Sequence, residues 1–313
     1  MIKWGMVAGH HDFGISAFRD NKLIYAGFSQ LGPWDNKIYA EALKASNFVP
    51  DAIVWYESPM KKMFRQLLAG QGLQLHDLNV FNFMPPALKH CPIDFVQHHE
   101  SHAAYAYYSQ PNPSCTVLTM DSIGEFETIT IWQGEDWKLK KVYSQGYPHS
   151  LGLFYTAMTG RAGLEMLKDE GKMVDLADEN DVPVSYAKEI RNVMTLQNKY
   201  PLVRFHDNYH RGARNWESVK ESNPSQEFIA DVTQGVLEAA VQHLSSYARK
   251  HTTSTNLAVA GGCAYNRRAL AKIARDWDSI HVPPHPGDNG SCVGAMLAIR
   301  QTPLTEAELA LIN

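Results

Sequence analysis

The sequence predicts an α/β protein made of two halves that repeat one pattern and face each other across a cleft. Short apolar, β-prone runs alternate with segments of helical spacing. The order of three strands, then alternating helix and strand, occurs twice along the chain. In each pass a turn with a carboxylate and a glycine follows the first strand: Asp12 with Gly14, then Asp121 with Gly124.

Bulk properties narrow the class. A chain of 313 residues, 44% hydrophobic and 20% charged, can bury a full core and has no disordered composition. A net charge of -4 excludes a global field for nucleic acid, so any such contact needs a local patch. Met1-Ile2-Lys3-Trp4-Gly5 enters a strand directly, with no leader pattern and no stretch long enough to span a bilayer. Cys91, Cys115, Cys263 and Cys292 are scattered, which fits reduced thiols in a cytoplasmic protein rather than a disulfide framework.

In the first half, Lys3 to Gly9 is a buried strand and His10 to Gly14 a turn. The strands Ile15 to Phe18 and Leu23 to Phe28 join at the tight hairpin Asp20-Asn21. A helix over Lys37 to Ser46, the strand Ala52 to Tyr56, a helix through Met60 to Leu68 and the strand Ile93 to Val96 follow. A helix then starts near His98. The second half repeats this with strands Thr116 to Met120, Thr128 to Trp132 and Leu139 to Tyr143, the last two joined at Gly134-Glu135-Asp136. It continues with a helix over Gln226 to Lys250, the strand Asn256 to Ala260, a helix from Asn266, the strand Ser279 to Val282 and a helix from Gly290. Two such halves describe the duplicated fold of the actin, sugar-kinase and Hsp70 group, in which a nucleotide or phosphate sits between the facing turns. The competing expectation is two unrelated α/β domains. The halves divide as residues 1–114 and 115–313, with the irregular stretch 164–224 as an insertion or lid in the second.

His98 and His102 are one helical turn apart, so their imidazoles share a face and suit a first-row transition metal. The bland alternative is a pair of ordinary helix-start histidines. The turn at His11 and Asp12 could position and deprotonate an alcohol. Asp121, Gly124 and Glu125 form the equivalent turn, a type that handles phosphate directly or through a cation. Lys172 after Gly171 is either a point charge for an anion or a solvated lysine. At Ala260-Gly261-Gly262-Cys263-Ala264-Tyr265-Asn266 the backbone can approach a ring or ribose, and Asn266 caps the next helix or binds the ligand. Asp288 is either an N-cap or the missing hard ligand for the histidine pair. Within the lid, Arg204, Tyr209, Arg211, Arg214 and Trp216 interleave basic and aromatic groups that can grip phosphates and stack on bases or sugars, though surface lids are often this polar for no special reason.

The ordered motifs HHD, HHESHAA, MDSIGE, SLGLFY, EGKMVDLA, AGGCAYN and PPHPGDNGSCVGA resemble the Kae1-like domain of the O-carbamoyltransferases, the nodulation-factor and antibiotic-tailoring group. A more distant similarity runs to the tRNA threonylcarbamoyladenosine transferases. The resemblance implies Fe2+ (or Zn2+) on His98, His102 and Asp288. It places His11 and Asp12 near the carbamoyl group and the adenosine pocket at Gly261, Gly262 and Asn266. Asp121, Gly124 and Glu125 match its acidic turn, and Lys172 its EGK lysine. His99, on another helix face, becomes the expected substrate or carbamoyl contact. The spelling departs at Ser122, Ile123 and Asp175, and Ser29 to Lys37 replaces the family's acidic and basic segment after the third strand. Family members continue into a YrdC-like domain that makes carbamoyl-adenylate. We expect none here, and therefore expect donor activation by a separate protein or none at all.

The implied activity is transfer of a carbamoyl group from carbamoyl phosphate or carbamoyl-adenylate, with ATP as a further substrate in the second case, to an alcohol oxygen. The acceptor is 5-hydroxymethylcytosine in DNA, as in phage-type relatives, or a sugar or small-molecule hydroxyl. A phosphotransferase and a non-catalytic subunit of the same fold are the rivals from other classes.

Overall fold

The computed structural model describes residues 1–9, 11–30, 32–72, 74–178, 187–213 and 224–312. The first sheet comprises β1 (Ile2–Val7), β2 (Phe13–Arg19), β3 (Lys22–Ser29), β4 (Ala52–Trp55) and β5 (Ile93–Phe95) in the order β3-β2-β1-β4-β5. The second comprises β6 (Cys115–Met120), β7 (Glu127–Glu135), β8 (Lys138–Gly146), β11 (Asn256–Ala260) and β12 (Ser279–His281) in the order β12-β11-β6-β7-β8. In each sheet the first three strands form an antiparallel meander and the last two add in parallel. The expected duplication is therefore present strand for strand. A small hairpin, β9 (Met194–Leu196) with β10 (Val203–Phe205), stands apart.

The first meander turns at Asp20-Asn21, both at positive φ. The second turns at Asp136-Trp137, also at positive φ, not at Gly134-Glu135-Asp136. Gly134 is inside β7, where a Cβ would stand 2.3 Å from the Tyr107 ring. That glycine serves close packing rather than the turn.

The helices are α1 (Asn36–Ser46), α2 (Pro59–Leu68), α3 (His98–Tyr108), α4 (Leu151–Arg161), α5 (Glu170–Leu176), α6 (Ala187–Val193), α7 (Gln226–His251), α8 (Arg267–Ala271), α9 (Ser291–Arg300) and α10 (Glu306–Leu309). Two cores result, one on each sheet. The described part of 164–224 is not a detached lid: Met173, Val193, Leu202 and Phe205 are buried in the second core. Near the C-terminus Cys292, Val293, Met296, Leu297 and Ile312 pack in the first core although they follow the second repeat in the chain.

Helices α3 and α9 each follow the fifth strand of a sheet and pack on each other. Their backbones touch: a Cβ on Gly294 would lie 2.0 Å from the Ser101 carbonyl oxygen. Likewise a Cβ on Gly5 in β1 would lie 1.9 Å from the Cys292 carbonyl oxygen. Glycine at these positions lets the two halves meet closely, with the N-terminal ends of α3 and α9 at the contact.

Candidate metal centre and active site

Four side chains converge where the halves meet. His98 and His102 come from the first two turns of α3, Asp121 from the end of β6, and Asp288 from the 3-10 turn before α9. One donor atom from each lies within 4.8 Å of all the others. The two Nε2 atoms are 3.1 Å apart, and His98 Nε2 is 2.9 Å from Asp121 Oδ2 and 3.4 Å from Asp288 Oδ1. His102 Nε2 is 3.3 Å from Asp288 Oδ1 and 3.8 Å from Asp121 Oδ2.

The residues fit a first-row metal. Ligands bonded at about 2.1 Å to one ion lie about 3.0 Å apart at right angles and about 3.4 Å apart at the tetrahedral angle. Four of the five distances lie in or near that range, and 3.8 Å between His102 and Asp121 corresponds to a wider angle. Two nitrogen and two carboxylate oxygen donors suit Fe2+ or Zn2+. Neighbouring groups orient the set: Ser291 Oγ is 3.2 Å from His102 Nδ1, and the Gly262 N–H donates to Asp121 Oδ1 at 2.8 Å. Asp288 is free for this role because the N-cap position of α9 is Gly290, with no side-chain cap. The pocket is built for positive charge. Burial opposes charge on His98 and His102, yet Asp288 and Asp121 outweigh it and hold both imidazoles above the ordinary histidine range. Burial likewise opposes charge on the two carboxylates, and the histidines hold both below the ordinary carboxylate range.

Beside this cluster the β1–β2 turn carries His11 and Asp12. His11 Nδ1 is 3.4 Å from Asp12 Oδ1, and Asp12 Oδ2 accepts the Asn289 N–H at 3.2 Å. Asp12 thus steers the imidazole and pins the turn that holds Asp288. A hydrogen bond to Asp12, partly offset by burial and helped by the charge of Asp288, pushes the His11 pKa up to about 9. Gly14 is needed here because a Cβ would lie 2.4 Å from the Asn289 carbonyl oxygen.

The family described as Carbamoyltransferase N-terminus matches residues 56–297. The chain belongs to the carbamoyltransferase family. An uncharacterised protein of Synechocystis sp. is 30% identical over 225 residues, which are 66% of this chain and 36% of that protein. Nodulation protein NolO of Bradyrhizobium diazoefficiens is 29% identical over 65% of this chain and 38% of its own length. The chain thus spans little more than a third of the curated relatives it matches. Among solved structures, full-length HypF in its phosphate- and nucleotide-bound form aligns with TM-score 0.56 at 12% identity, over 96% of this chain and 55% of that one. The activator of 2-hydroxyisocaproyl-CoA dehydratase from Clostridium difficile aligns with TM-score 0.53 at 13% identity, over 96% of both chains. These likenesses establish the fold.

Against the resemblance to this carbamoyltransferase family, several expected site residues turn out to hold the structure together. Asp121, expected in a turn that handles phosphate directly or through a cation, lies in the cluster of four candidate metal ligands. Its position as the mate of Asp12 in the duplicated pattern was the signal available in the sequence. Glu125 is buried and acts as an anionic cap: Oε1 accepts the Ser58 N–H at the start of α2, and both oxygens accept the His98 N–H. Gly124 is a cradle, since a Cβ there would lie 2.8 Å from His98 Cβ. His99 is fully buried, with Nδ1 2.6 Å from Thr119 Oγ1, and burial holds its pKa far below the ordinary range. Its Nδ1 faces Thr119 of β6, while its buried Nε2 has no hydrogen-bond partner among the described residues.

The glycine pair also spends its donors internally, with Gly261 N–H on the Pro286 carbonyl and Gly262 N–H on Asp121. Gly261 sits at φ +92, and a Cβ would strike the Met120 carbonyl. Asn266 caps α8 through the Ala269 N–H and pairs with Gln234. Lys172 is exposed and paired with Asp169 at 2.9 Å, as a solvated lysine would be. Tyr209 is buried edge-on to Phe154 and Phe205, so it is no acceptor platform. Arg204 and Arg211 are exposed, while Arg214 and Trp216 lie outside the described residues. Arg204 lines a cavity of about 490 Å3 with Pro148, His149, Phe205, His206 and Asn208.

Proposed function

We propose that this chain carries out O-carbamoyl transfer, moving a carbamoyl group from carbamoyl phosphate or carbamoyl-adenylate to an alcohol oxygen. The observation that carries the proposal is the buried cluster of His98, His102, Asp121 and Asp288 beside the His11–Asp12 pair, in a chain of the carbamoyltransferase family. Fe2+ or Zn2+ bound by the cluster would supply a Lewis acid for the carbonyl oxygen of the donor. The protein's own residues divide the remaining work. Asp12 holds His11 by Nδ1, which leaves Nε2 to take the proton of the acceptor hydroxyl. Ser291 would orient His102, and the close backbone contacts around Gly5 and Gly294 pack the wall behind the site.

For the acceptor we propose a hydroxymethylated base in DNA, with a sugar hydroxyl as the second reading. The exposed Arg204 in the cavity of about 490 Å3, together with Arg211 exposed further along the same segment, favours a phosphate-bearing acceptor, although Asp207 also lines that cavity. Binding of duplex DNA should fall with salt, and Arg204→Ala and Arg211→Ala should each flatten the slope of log K against log salt by about 0.9. Salt-insensitive binding would favour the sugar.

The decisive assay loads the chain with Fe2+ or Zn2+ and supplies carbamoyl phosphate, with and without ATP. Its acceptor panel includes hydroxymethylcytosine DNA and free sugars, and mass spectrometry follows the carbamate. A carbamate that depends on bound metal is the expected product. A phosphorylated acceptor with no carbamate would defeat the proposal. Product that forms only when a separate donor-activating protein is added would confine this chain to the transfer step.

A further inference from the structure

Helix α2 is built the opposite way from a helix packed on a core. Its inward side is polar: Lys62, Arg65 and Gln66 are 8%, 5% and 8% exposed. Lys62 pairs with Glu57, Arg65 bonds the Glu125 carbonyl and the Gln71 side chain, and Gln66 bonds Asp77. Its outward side is apolar. Met60, Phe64, Leu67 and Leu68 recur at i, i+4, i+7 and i+8 and are 63%, 51%, 48% and 77% exposed. Leu75, in the 3-10 turn packed against the helix, is 65% exposed. Helix α7 shows the ordinary arrangement, burying Val232, Val236, Leu237 and Leu244. A stripe of large apolar groups one turn apart is the face one helix offers another.

We propose that this stripe is a self-association surface, on which two copies of the chain pair α2 against α2, antiparallel about a two-fold axis near Phe64. Area and charge select a second copy as the occupant. At about 200 Å2 for a whole side chain of this size, the five residues offer roughly 600 Å2 per copy and about 1,200 Å2 for the pair. With nearly all of that area buried, the pair reaches the about 1,000 Å2 a specific interface needs. An interface about a two-fold uses the same patch on both partners, and this patch is continuous and apolar enough to serve as both. Lys61 is the exposed charge on the helix. Antiparallel pairing sets each Lys61 against the C-terminal end of the partner helix, where the helix dipole favours a cation, whereas parallel pairing would stack the two lysines. The stripe carries a single exposed lysine, Lys61, rather than a basic rim, and the chain has a net charge of -4, which disfavours an anionic lipid surface. The inward side of α2 also holds Glu125, which caps α3 at His98, so the paired helix would be braced against the metal centre.

Sedimentation of the purified chain across the micromolar range tests this. The wild type should reach twice 35.2 kDa, and Phe64→Glu and Leu68→Glu should each return it to that single mass. Both side chains face solvent, so circular dichroism and melting of the monomeric variants should match a wild-type sample diluted until it is monomeric. Phe64→Cys should cross-link to itself on oxidation, since the four native cysteines are buried. A wild type that stays monomeric at the highest concentration overturns the proposal, as does a dimer that survives Phe64→Glu. Binding of a monomeric wild type to vesicles of phosphatidylserine and phosphatidylcholine, lost in Phe64→Glu, would also overturn it by assigning the stripe to lipid.

Discussion

His102 is the most demanding single residue of the site, with both ring nitrogens committed: Nε2 to the cluster and Nδ1 to Ser291. His102→Ala should remove the bound metal while leaving the fold, as read by metal analysis and circular dichroism. Full metal retention would sink the assignment. Ser291→Ala keeps all four ligands and loses only their orientation, so metal affinity should fall about 10-fold, measured by competition with a chelator. His11 brings a pH dependence. Its pKa is held at about 9 by Asp12 and by the nearby carboxylates, so at neutral pH the imidazole is mostly protonated. A base must be neutral, and the neutral fraction grows as pH rises through the folded pKa. The transfer rate should therefore climb with pH toward about 9, and the climb should move to lower pH once bound metal offsets the charge of Asp288 and Asp121. His11→Ala should lose about 100-fold in rate and the climbing limb with it. A profile flat from pH 6 to 9 would remove His11 from the role of base.

At the scale of elements, Glu125 shows how sequence can mislead. A carboxylate in a glycine turn after a strand looks like phosphate chemistry, yet here it satisfies N–H groups at the start of α2 and α3. Glu125→Ala should cost about 2 kcal/mol in urea unfolding and loosen metal binding, because the cap of α3 is also the seat of His98. Gly294→Ala should be destabilising by about 3 kcal/mol, since the added methyl meets a backbone oxygen that cannot swing aside. The strands, their order and the histidine helix were legible because apolar alternation and turn residues are local signals. The second hairpin was not, because Gly134 answers to Tyr107, a residue far away in the chain. The same holds for His99 and Asn266, whose Nδ1 and side-chain amide meet Thr119 and Gln234. The partner of Lys172, by contrast, stands three residues away at Asp169. The inverted helix α2 was legible only as a run of large apolar residues, with nothing to say which side would face outward.

At the scale of the whole molecule, the duplicated pattern puts carboxylates of one half against the helix start of the other half: Asp12 on the turn before α9, Asp121 and Glu125 on the start of α3. A metal that binds all four donors ties the halves together, so it should stabilise the native chain alone. At a concentration about 100 times its Kd the gain is about 2.7 kcal/mol, visible as a higher melting temperature that a chelator reverses and His102→Ala never shows. The backbone contact of Ser101 with Gly294 adds a mechanical consequence. Ser101 is the residue before His102 in the chain, and the α3–α9 crossing is the fulcrum about which either half would tilt. Donors so near a fulcrum have almost no lever arm, whereas the outer sheet edges have a long one. If the halves tilt about that crossing, an ion held by the cluster would move little while the outer sheet edges part.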